Sequence, residues 1–475
     1  MRQLILITAL LGSAASSDVY AAPNEVVVHQ DEDGYTLRVD GQDTFLFGMN
    51  WGYVPVGENY SYDFWSQPED LIDGVLRTEM GLLQDMGINA IRQYPGIPPR
   101  WVEWIYDNYG IYTMINPLVG RYGTTLNGQF MPSTPYGDPA VRAHLIRETL
   151  DVVDTYRDVP GVLMFLLGNE ANYGLSWTSF EIQALPKGER DAAKARHLYS
   201  LYGEIIDGIH AADPHHPVAI CNGDLQYIDL IAELAPNMDI MASNVYRGIS
   251  SRDLFDRVAD ELEVPFVYSE FGSDAYNAAA GREDHLMQAK YLHGQWQEIY
   301  EHSYGKGRAN NAIGGFIFQW SDGWWKYLQE ENLEVHDTNA SWPNRAYPDD
   351  YVEDGNNMNE EWFGISAKTP PDPSGRYEVQ PRTAYWMLRE AFELDPYADT
   401  TDIATIEAHF DAIRPTDFTF RYEAAKATTQ MREQRARVRN LRVEMSTTTS
   451  GGSQREGRGP QNTTFDHGES FYVDV

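Results

Sequence analysis

Cysteine is nearly absent from this chain of 475 residues, which contains only Cys221. A single cysteine forms no internal disulfide, and its apolar neighbours in PVAICNGD favour a small buried side chain over a nucleophile. The stability of the fold must therefore come from packing.

Basic residues are also scarce: the chain contains 36 Lys and Arg but 71 Asp and Glu, which gives a formal net charge of -35. A surface of this sign repels phosphate groups, so nucleic acid and anionic membranes are not expected as partners.

Long apolar runs are missing as well, and no stretch after the N-terminus reaches the roughly 18 apolar residues of a membrane span. Residues 1–21 combine Arg2, a short apolar run, and small residues at Val19 and Ala21. This pattern predicts a signal peptide cleaved near Ala21, and hence a secreted or periplasmic protein.

Motifs for cofactors and for other hydrolase classes are not found. There is no Gly-rich phosphate loop and no G-x-S-x-G at a strand end. Of the 12 histidines, only His215 and His216 are adjacent, and in DPHHPV they are typical of a turn rather than of a metal site. We therefore expect no metal and no cofactor.

The sequence does contain two apolar runs that each lead into a glutamate. GVLMFLLGNEAN, from Gly161 to Asn172, ends its run at Asn169 and Glu170, and PFVYSEFGSDAY, from Pro265 to Tyr276, leads into Glu270. Runs of this kind are typical of strands buried on both faces of a sheet. Two glutamates at strand ends supply the pair of carboxyl groups that cleavage of a glycosidic bond needs.

The same alternation of apolar strand and amphipathic helix recurs along the chain. Eight strands are predicted, at 44–53, 88–94, 111–118, 162–167, 218–221, 238–243, before Glu270 and at 314–325. Helices between parallel strands predict an α/β fold, a (β/α)8 TIM barrel with a short N-terminal β-hairpin and a C-terminal helical and β appendage. The predicted units are a hairpin at 22–42, the barrel at 43–395 and an extension at 396–475. The extension includes a linker and ends in ESFYVDV, which is typical of a strand from a further β-domain.

Active sites of such barrels lie at the carboxyl ends of the strands. The polar or aromatic residues at these ends are therefore expected to meet in one cleft. They are Asn50, Trp51, Arg92, Tyr94, Asn169, Glu170, Asn222, Tyr246, Glu270 and Trp320. Aromatic faces stack on sugar rings, so further candidates for substrate binding are Trp324 and Trp325, with Trp342 and Trp362 beyond them.

Five of these segments resemble the catalytic barrel of glycoside hydrolase family 2 and its clan of retaining β-glycosidases. The matching pieces are INAIRQYP, LGNEAN, SNVYRG, PFVYSEFGSDAY and GGFIFQWSDGWW. The resemblance implies that Glu170 is the acid/base and Glu270 the nucleophile. It also implies that Asn169 binds the sugar 2-hydroxyl and that Tyr246 orients the nucleophile. Unlike familiar members, this chain has only a short segment before the barrel, and Gln93 precedes Tyr94 where a His is common.

The function implied is a retaining β-glycoside hydrolase acting on a β-linked oligo- or polysaccharide by double displacement. The acidic composition favours a neutral, glucan-like substrate over uronates. Two alternatives stay open: a β-glucan transglycosylase of the same mechanism, and a carbohydrate-binding barrel without turnover. Both glutamates are present, which favours an enzyme.

Overall fold

The computed structural model describes residues 22–94, 96–175, 179–432 and 434–435. The predicted signal peptide and the strand predicted in ESFYVDV lie outside the described residues. The strands are β1 Val26–Asp31, β2 Gly34–Val39, β3 Gln42–Asp43, β4 Leu46–Asn50, β5 Ala90–Gln93, β6 Tyr112–Ile115, β7 Thr124–Leu126, β8 Gln129–Met131, β9 Val162–Leu167, β10 Val218–Gly223, β11 Ile240–Asn244, β12 Phe266–Phe271, β13 Tyr276–Asn277, β14 Arg282–Glu283, β15 Ala312–Ile317, β16 Ser366–Lys368 and β17 Val379–Pro381. The helices are α1 Glu69–Met86, α2 Pro99–Tyr109, α3 Pro139–Tyr156, α4 Arg190–Ala212, α5 Ile228–Leu234, α6 Leu254–Leu262, α7 His285–Glu301, α8 Thr383–Ala391 and α9 Ile403–Ala412.

Eight parallel strands form a closed barrel in the chain order β4, β5, β6, β9, β10, β11, β12 and β15, and β15 pairs back to β4. All six residues of β9 are buried, as are all six of β12. Continuous burial is required because successive side chains of a barrel strand point alternately into the barrel interior and towards the surrounding helices. The predicted (β/α)8 barrel is confirmed.

Local signals in the sequence explain where individual helices begin and end. Helix α1 stops at Gly87, whose φ of 96° is left-handed and unfavourable for other residues. Helix α3 begins with Pro139, which needs no N–H donor there, and the Asp138 side chain accepts from the next two backbone N–H groups, of Ala140 and Val141.

The N-terminal hairpin closes the barrel at the end opposite the predicted cleft. Val26, Leu37 and Val39 pack in one apolar cluster with residues of the barrel strands, among them Leu46 and Ile240. Backbone bonds connect β1 and β2 to the loops that precede barrel strands. This packing leaves the carboxyl ends of the strands as the accessible face of the barrel.

The last barrel strand is shorter than predicted, because it ends at Ile317 and not at Trp325. From residue 318 the chain leaves the barrel wall and crosses the carboxyl ends of the strands before it returns in β16. We name residues 318–365 the cover segment.

Helices after the barrel pack against α7 and α8, as the predicted C-terminal appendage requires. On α9, Phe410 O accepts a hydrogen bond of 2.9 Å from the His293 ring of α7. A further helical segment, at 419–432, follows α9. Within the described residues, no helix is long and apolar enough to cross a membrane. The boundaries 22–42, 43–395 and 396–475 stay a prediction.

Closure of the barrel predicts the effect of one glycine substitution. Gly314 of β15 has a φ of 121°, and an added Cβ would lie 2.1 Å from Leu46 O on β4. We expect Gly314→Ala to lower the free energy of unfolding by roughly 3 kcal/mol, measured by chemical denaturation. The new methyl group would clash with the backbone of β4 unless one of the two strands moved. Gly128→Ala is the matched control, since Gly128 also has positive φ but open space around it. Equal losses in the two variants would contradict this reading.

Candidate active site

A cavity of about 580 Å³ opens at the carboxyl ends of the barrel strands. Residues at or after strand ends form its floor and one side: Tyr94, Tyr122, Asn169, Glu170, Tyr173, Asp224, Asn244, Tyr246 and Glu270. The cover segment forms the other side with Phe318, Lys326, Trp342, Pro343, Asn344, Glu360 and Phe363. Both predicted catalytic glutamates therefore face one cavity.

Glu270, on β12, is only 7% exposed and is surrounded by donors. Arg92 Nη1 forms an ion pair with its Oε1 at 2.8 Å, and the Tyr94 hydroxyl lies 3.3 Å from the same oxygen. The Tyr246 hydroxyl donates to Oε2 at 3.3 Å. The side chain is thereby held in one orientation by residues from two barrel strands, β5 and β11, or the turns that follow them.

Glu170 has a different environment at the end of β9. Its backbone adopts a left-handed φ of 52°, and its N–H donates to Cys221 O at 3.1 Å, which turns the side chain away from the strand. Burial, with the negative charge of Glu270 as the second cause, raises the pKa of Glu170 to about 7. The two carboxyl groups thus differ in their ionic partners.

The Arg92 guanidinium lies beneath both glutamates and is completely buried. Its Nη2 donates to Asn169 Oδ1 at 2.9 Å and to Asn116 Oδ1 at 2.7 Å. Asn169 also accepts from Asn244 Nδ2 at 3.1 Å and donates to the Tyr122 hydroxyl at 3.0 Å. A network of amides therefore connects the strand ends around one buried cation.

Besides the two glutamates, four residues predicted for the cleft line the cavity: Tyr94, Asn169, Tyr246 and Trp342. Asn50 and Asn222 lie below it, where Asn50 Nδ2 donates to Ser269 O at 2.9 Å and Asn222 Oδ1 accepts from the Tyr199 hydroxyl at 2.7 Å. Arg92 belongs to the same lower layer.

The other predicted tryptophans are not among the residues that line the cavity. Trp51 and Trp320 are almost fully buried, and both indole N–H groups donate to Glu79 Oε2 on α1, at 2.7 and 3.0 Å. Trp324 stacks on the His336 ring at 4.6 Å, and Trp325 lies against Lys326 Nζ at 4.7 Å. The structure thus gives these four indoles partners within the protein.

Several residues of the site are not among the sequence predictions. Asn116 and Asn244 follow apolar strands in the same way as Asn169 does, so the strand-end pattern could have found them. Tyr122, Tyr173, Lys326 and Glu360 lie on loops or short turns without periodicity, and no sequence signal marks them. Among the described residues, no group of three or more His, Cys, Asp or Glu could hold a metal ion.

The glycosyl hydrolases family 2 TIM barrel domain matches residues 73–312, about half of the chain. The chain belongs to this family. The resemblance inferred from the strand-end motifs is thereby confirmed.

The chain is also similar to curated relatives and to solved structures. The chain is 23% identical over 278 residues to a beta-galactosidase of Actinobacillus pleuropneumoniae, covering 51% of this chain and 22% of the relative. It is 29% identical over 135 residues to a probable 1,3-beta-glucanosyltransferase of Saccharomyces cerevisiae, covering 28% of this chain and 24% of the relative. The chain therefore spans about a quarter of the length of each.

Among solved structures, beta-glucuronidase 2 of Bacteroides uniformis superposes with a TM-score of 0.50 at 13% identity. The superposition covers 78% of this chain and 37% of the glucuronidase, whose structure holds a covalently bound cyclophellitol-6-carboxylate aziridine. At this identity the likeness supports the family 2 barrel fold alone.

The charge of Glu270 predicts how the pKa of Glu170 responds to mutation. Glu270→Gln removes that negative charge, so the pKa of Glu170 should fall below about 7. Carbon-13 NMR titration of labelled glutamate carboxyls measures it. Glu360→Gln, also in the cavity, should leave this pKa nearly unchanged. A rise of the Glu170 pKa in Glu270→Gln would contradict the electrostatic coupling.

Proposed function

We propose that the protein is a retaining β-glycosidase in which Glu270 is the nucleophile and Glu170 the acid/base. One observation carries the proposal: two carboxyl groups face one cavity, one paired with Arg92 and the other with its pKa raised to about 7. Retaining cleavage needs this division, because one carboxylate attacks while the other carboxyl donates a proton.

In the first step, a Glu270 carboxylate oxygen bonds to the anomeric carbon as the bond to the leaving oxygen breaks. The Glu170 carboxyl gives its proton to that oxygen, which departs as a hydroxyl. In the second step, Glu170, now a carboxylate, takes the proton of an incoming hydroxyl. The hydroxyl oxygen attacks the anomeric carbon and releases the Glu270 carboxylate, so two inversions give net retention.

A neutral, glucan-like β-linked oligo- or polysaccharide fits the charges of the cleft. Asp224 pairs with Arg247 at 2.5 Å, and Lys326 Nζ lies 3.8 Å from Glu360 Oε2. Glu270 pairs with Arg92, so each of these carboxylates has a cation beside it. A uronate would bring a further negative charge into a cleft whose paired carboxylates and cations already balance, on a protein of net negative charge. Its binding would therefore be disfavoured.

A transglycosylase of the same mechanism is the second candidate. A probable 1,3-beta-glucanosyltransferase of Saccharomyces cerevisiae is one of the relatives. Transfer differs from hydrolysis only in which hydroxyl attacks in the second step. The predicted signal peptide at residues 1–21 would place either reaction in the periplasm or the medium.

Product analysis tests the proposed reaction. The purified protein is incubated with a panel of β-linked glucans, galactans and mannans, and products are followed by mass spectrometry and anomeric NMR. We expect products of retained configuration, lost by at least about 10³-fold in Glu170→Gln and Glu270→Gln. Glu360→Gln is the matched cavity control and should retain most activity. Inverted products, or full activity of Glu270→Gln, would contradict the assignment.

The raised pKa of Glu170 predicts the pH dependence. The acid must be protonated in the first step, so kcat/KM for an oligosaccharide should fall as pH rises through about 7. A 2,4-dinitrophenyl glycoside leaves without a proton, so its kcat/KM should lack this alkaline limb. Steady-state rates between pH 4 and pH 9 measure both. The same alkaline limb for both substrates would argue against Glu170 as the acid.

A further inference from the structure

Tyr173 stands at the edge of the cavity, in the single turn of helix, Ala171–Gly174, that follows Glu170. The ring is 49% exposed although it lies in tight contact with the backbone, since a Cβ on Gly223 would be 2.4 Å from Tyr173 Cε2. The turn is clamped there by Asn172, whose Nδ2 donates to Gly223 O at 2.9 Å and whose Oδ1 accepts from Gly223 N–H at 2.7 Å. Tyr173 is therefore a fixed aromatic surface with an open face.

Asp224 follows Gly223 and is held as firmly. Its carboxylate accepts from Arg247 Nη2 at 2.5 Å and from Arg247 Nε at 2.9 Å, a bidentate pair. Arg247 is in turn fixed by Ser251 O at 2.8 Å and by Asp253 at 3.0 Å. The Asp224 side chain keeps 32% exposure and lines the cavity, so an oriented carboxylate edge is open to a ligand.

Both residues lie on the Glu170 side of the cavity. The Tyr173 backbone N–H donates to Glu170 O at 3.0 Å, the Tyr173 ring packs against Gly223 beside Asp224, and all three residues Tyr173, Glu170 and Asp224 line the cavity. In keeping with this placement, burial and the charges of Glu170 and Asp224 raise the pKa of Tyr173. Glu270 is instead contacted by Arg92, Tyr94 and Tyr246. In a retaining enzyme the acid lies next to the leaving oxygen. The side of Glu170 that points away from Glu270 is therefore where the leaving group lies.

We propose that Tyr173 and Asp224 form the subsite for a sugar leaving group, which in the second step also holds a sugar acceptor. Tyr173 stacks on the apolar face of the ring, and the Asp224 carboxylate accepts a hydrogen bond from a ring hydroxyl. An aryl or alkyl leaving group offers no hydroxyl to Asp224, so the pair selects for a saccharide. This inference rests on the proposed retaining mechanism and adds the chemical class of the leaving group.

The test separates the two steps with a donor that needs no such subsite. β-Glucosyl, β-galactosyl and β-mannosyl fluorides are supplied with and without laminaribiose or cellobiose as acceptor. Fluoride release and transfer products are measured for the wild type, Tyr173→Ala, Tyr173→Phe and Asp224→Ala. Asp417→Asn is the control, because it removes the carboxylate of a surface ion pair with Arg414 that is not among the residues lining the cavity.

We expect Tyr173→Ala and Asp224→Ala to lower transfer, and kcat/KM for oligosaccharides, by about 10- to 100-fold. Fluoride release without acceptor should change by less than about threefold. Tyr173→Phe keeps the stacking surface and should restore most of the transfer, and Asp417→Asn should resemble the wild type.

Two results would overturn the subsite. Equal loss of acceptor-free fluoride release and of transfer would place the residues at the donor sugar or in folding, and unchanged transfer in both alanine variants would remove their role. If the wild type releases fluoride from none of the three donors, the proposed glycosidase mechanism itself fails. That outcome is distinct, because it appears before any variant is compared.

Discussion

The ion pair between Arg92 and Glu270 is the interaction on which the site depends. A guanidinium without solvent contact carries a large desolvation cost unless it is fully hydrogen-bonded. Arg92 meets this requirement with groups from six other barrel strands or the residues directly after them: Asn50, Asn116, Asn169, Cys221, Asn244 and the Ser269–Glu270 pair. The relative heights of the strand ends are therefore set together with the orientation of Glu270, because a shifted strand would leave the cation unsatisfied.

The cover segment imposes the second constraint. Tyr246 packs edge-on against Trp342 and Phe363, with centroid distances of 5.8 and 5.6 Å, and Asn344 Nδ2 donates to Tyr246 O at 2.8 Å. Tyr246 in turn donates to Glu270. The segment is tied down by the buried Asp322, which pairs with Arg382 at 2.7 Å. Its role thus goes beyond enclosing the cavity, because it fixes the second contact to the Glu270 carboxylate.

The two sides of the cavity divide the proposed chemistry. On the side of Glu270, the carboxylate and Arg92 are buried, and two tyrosine hydroxyls lie beside the carboxylate. The side of Glu170 is more open and carries Tyr173 and Asp224, which are fixed in position and still partly exposed. In the proposed mechanism, the sugar that becomes covalently bound lies on the side of Glu270, and the sugar that leaves or arrives lies on the side of Glu170. Whether water or a sugar hydroxyl attacks then depends on how well the open side is occupied.

Sequence alone determined the barrel, the two glutamates and several of their neighbours. Runs such as Val162–Leu167 must be buried on both faces, and the ends of parallel strands converge, so Glu170, Glu270, Arg92 and Tyr246 could be expected together. Only the tertiary structure decided which side chains face the cavity. Trp51 and Trp320 turn away from it to share Glu79, a carboxylate from helix α1, and no strand pattern predicts that partner. Tyr173, Lys326 and Trp342 come from loops or single turns, where the absence of periodicity hides the direction of a side chain until the chain is packed.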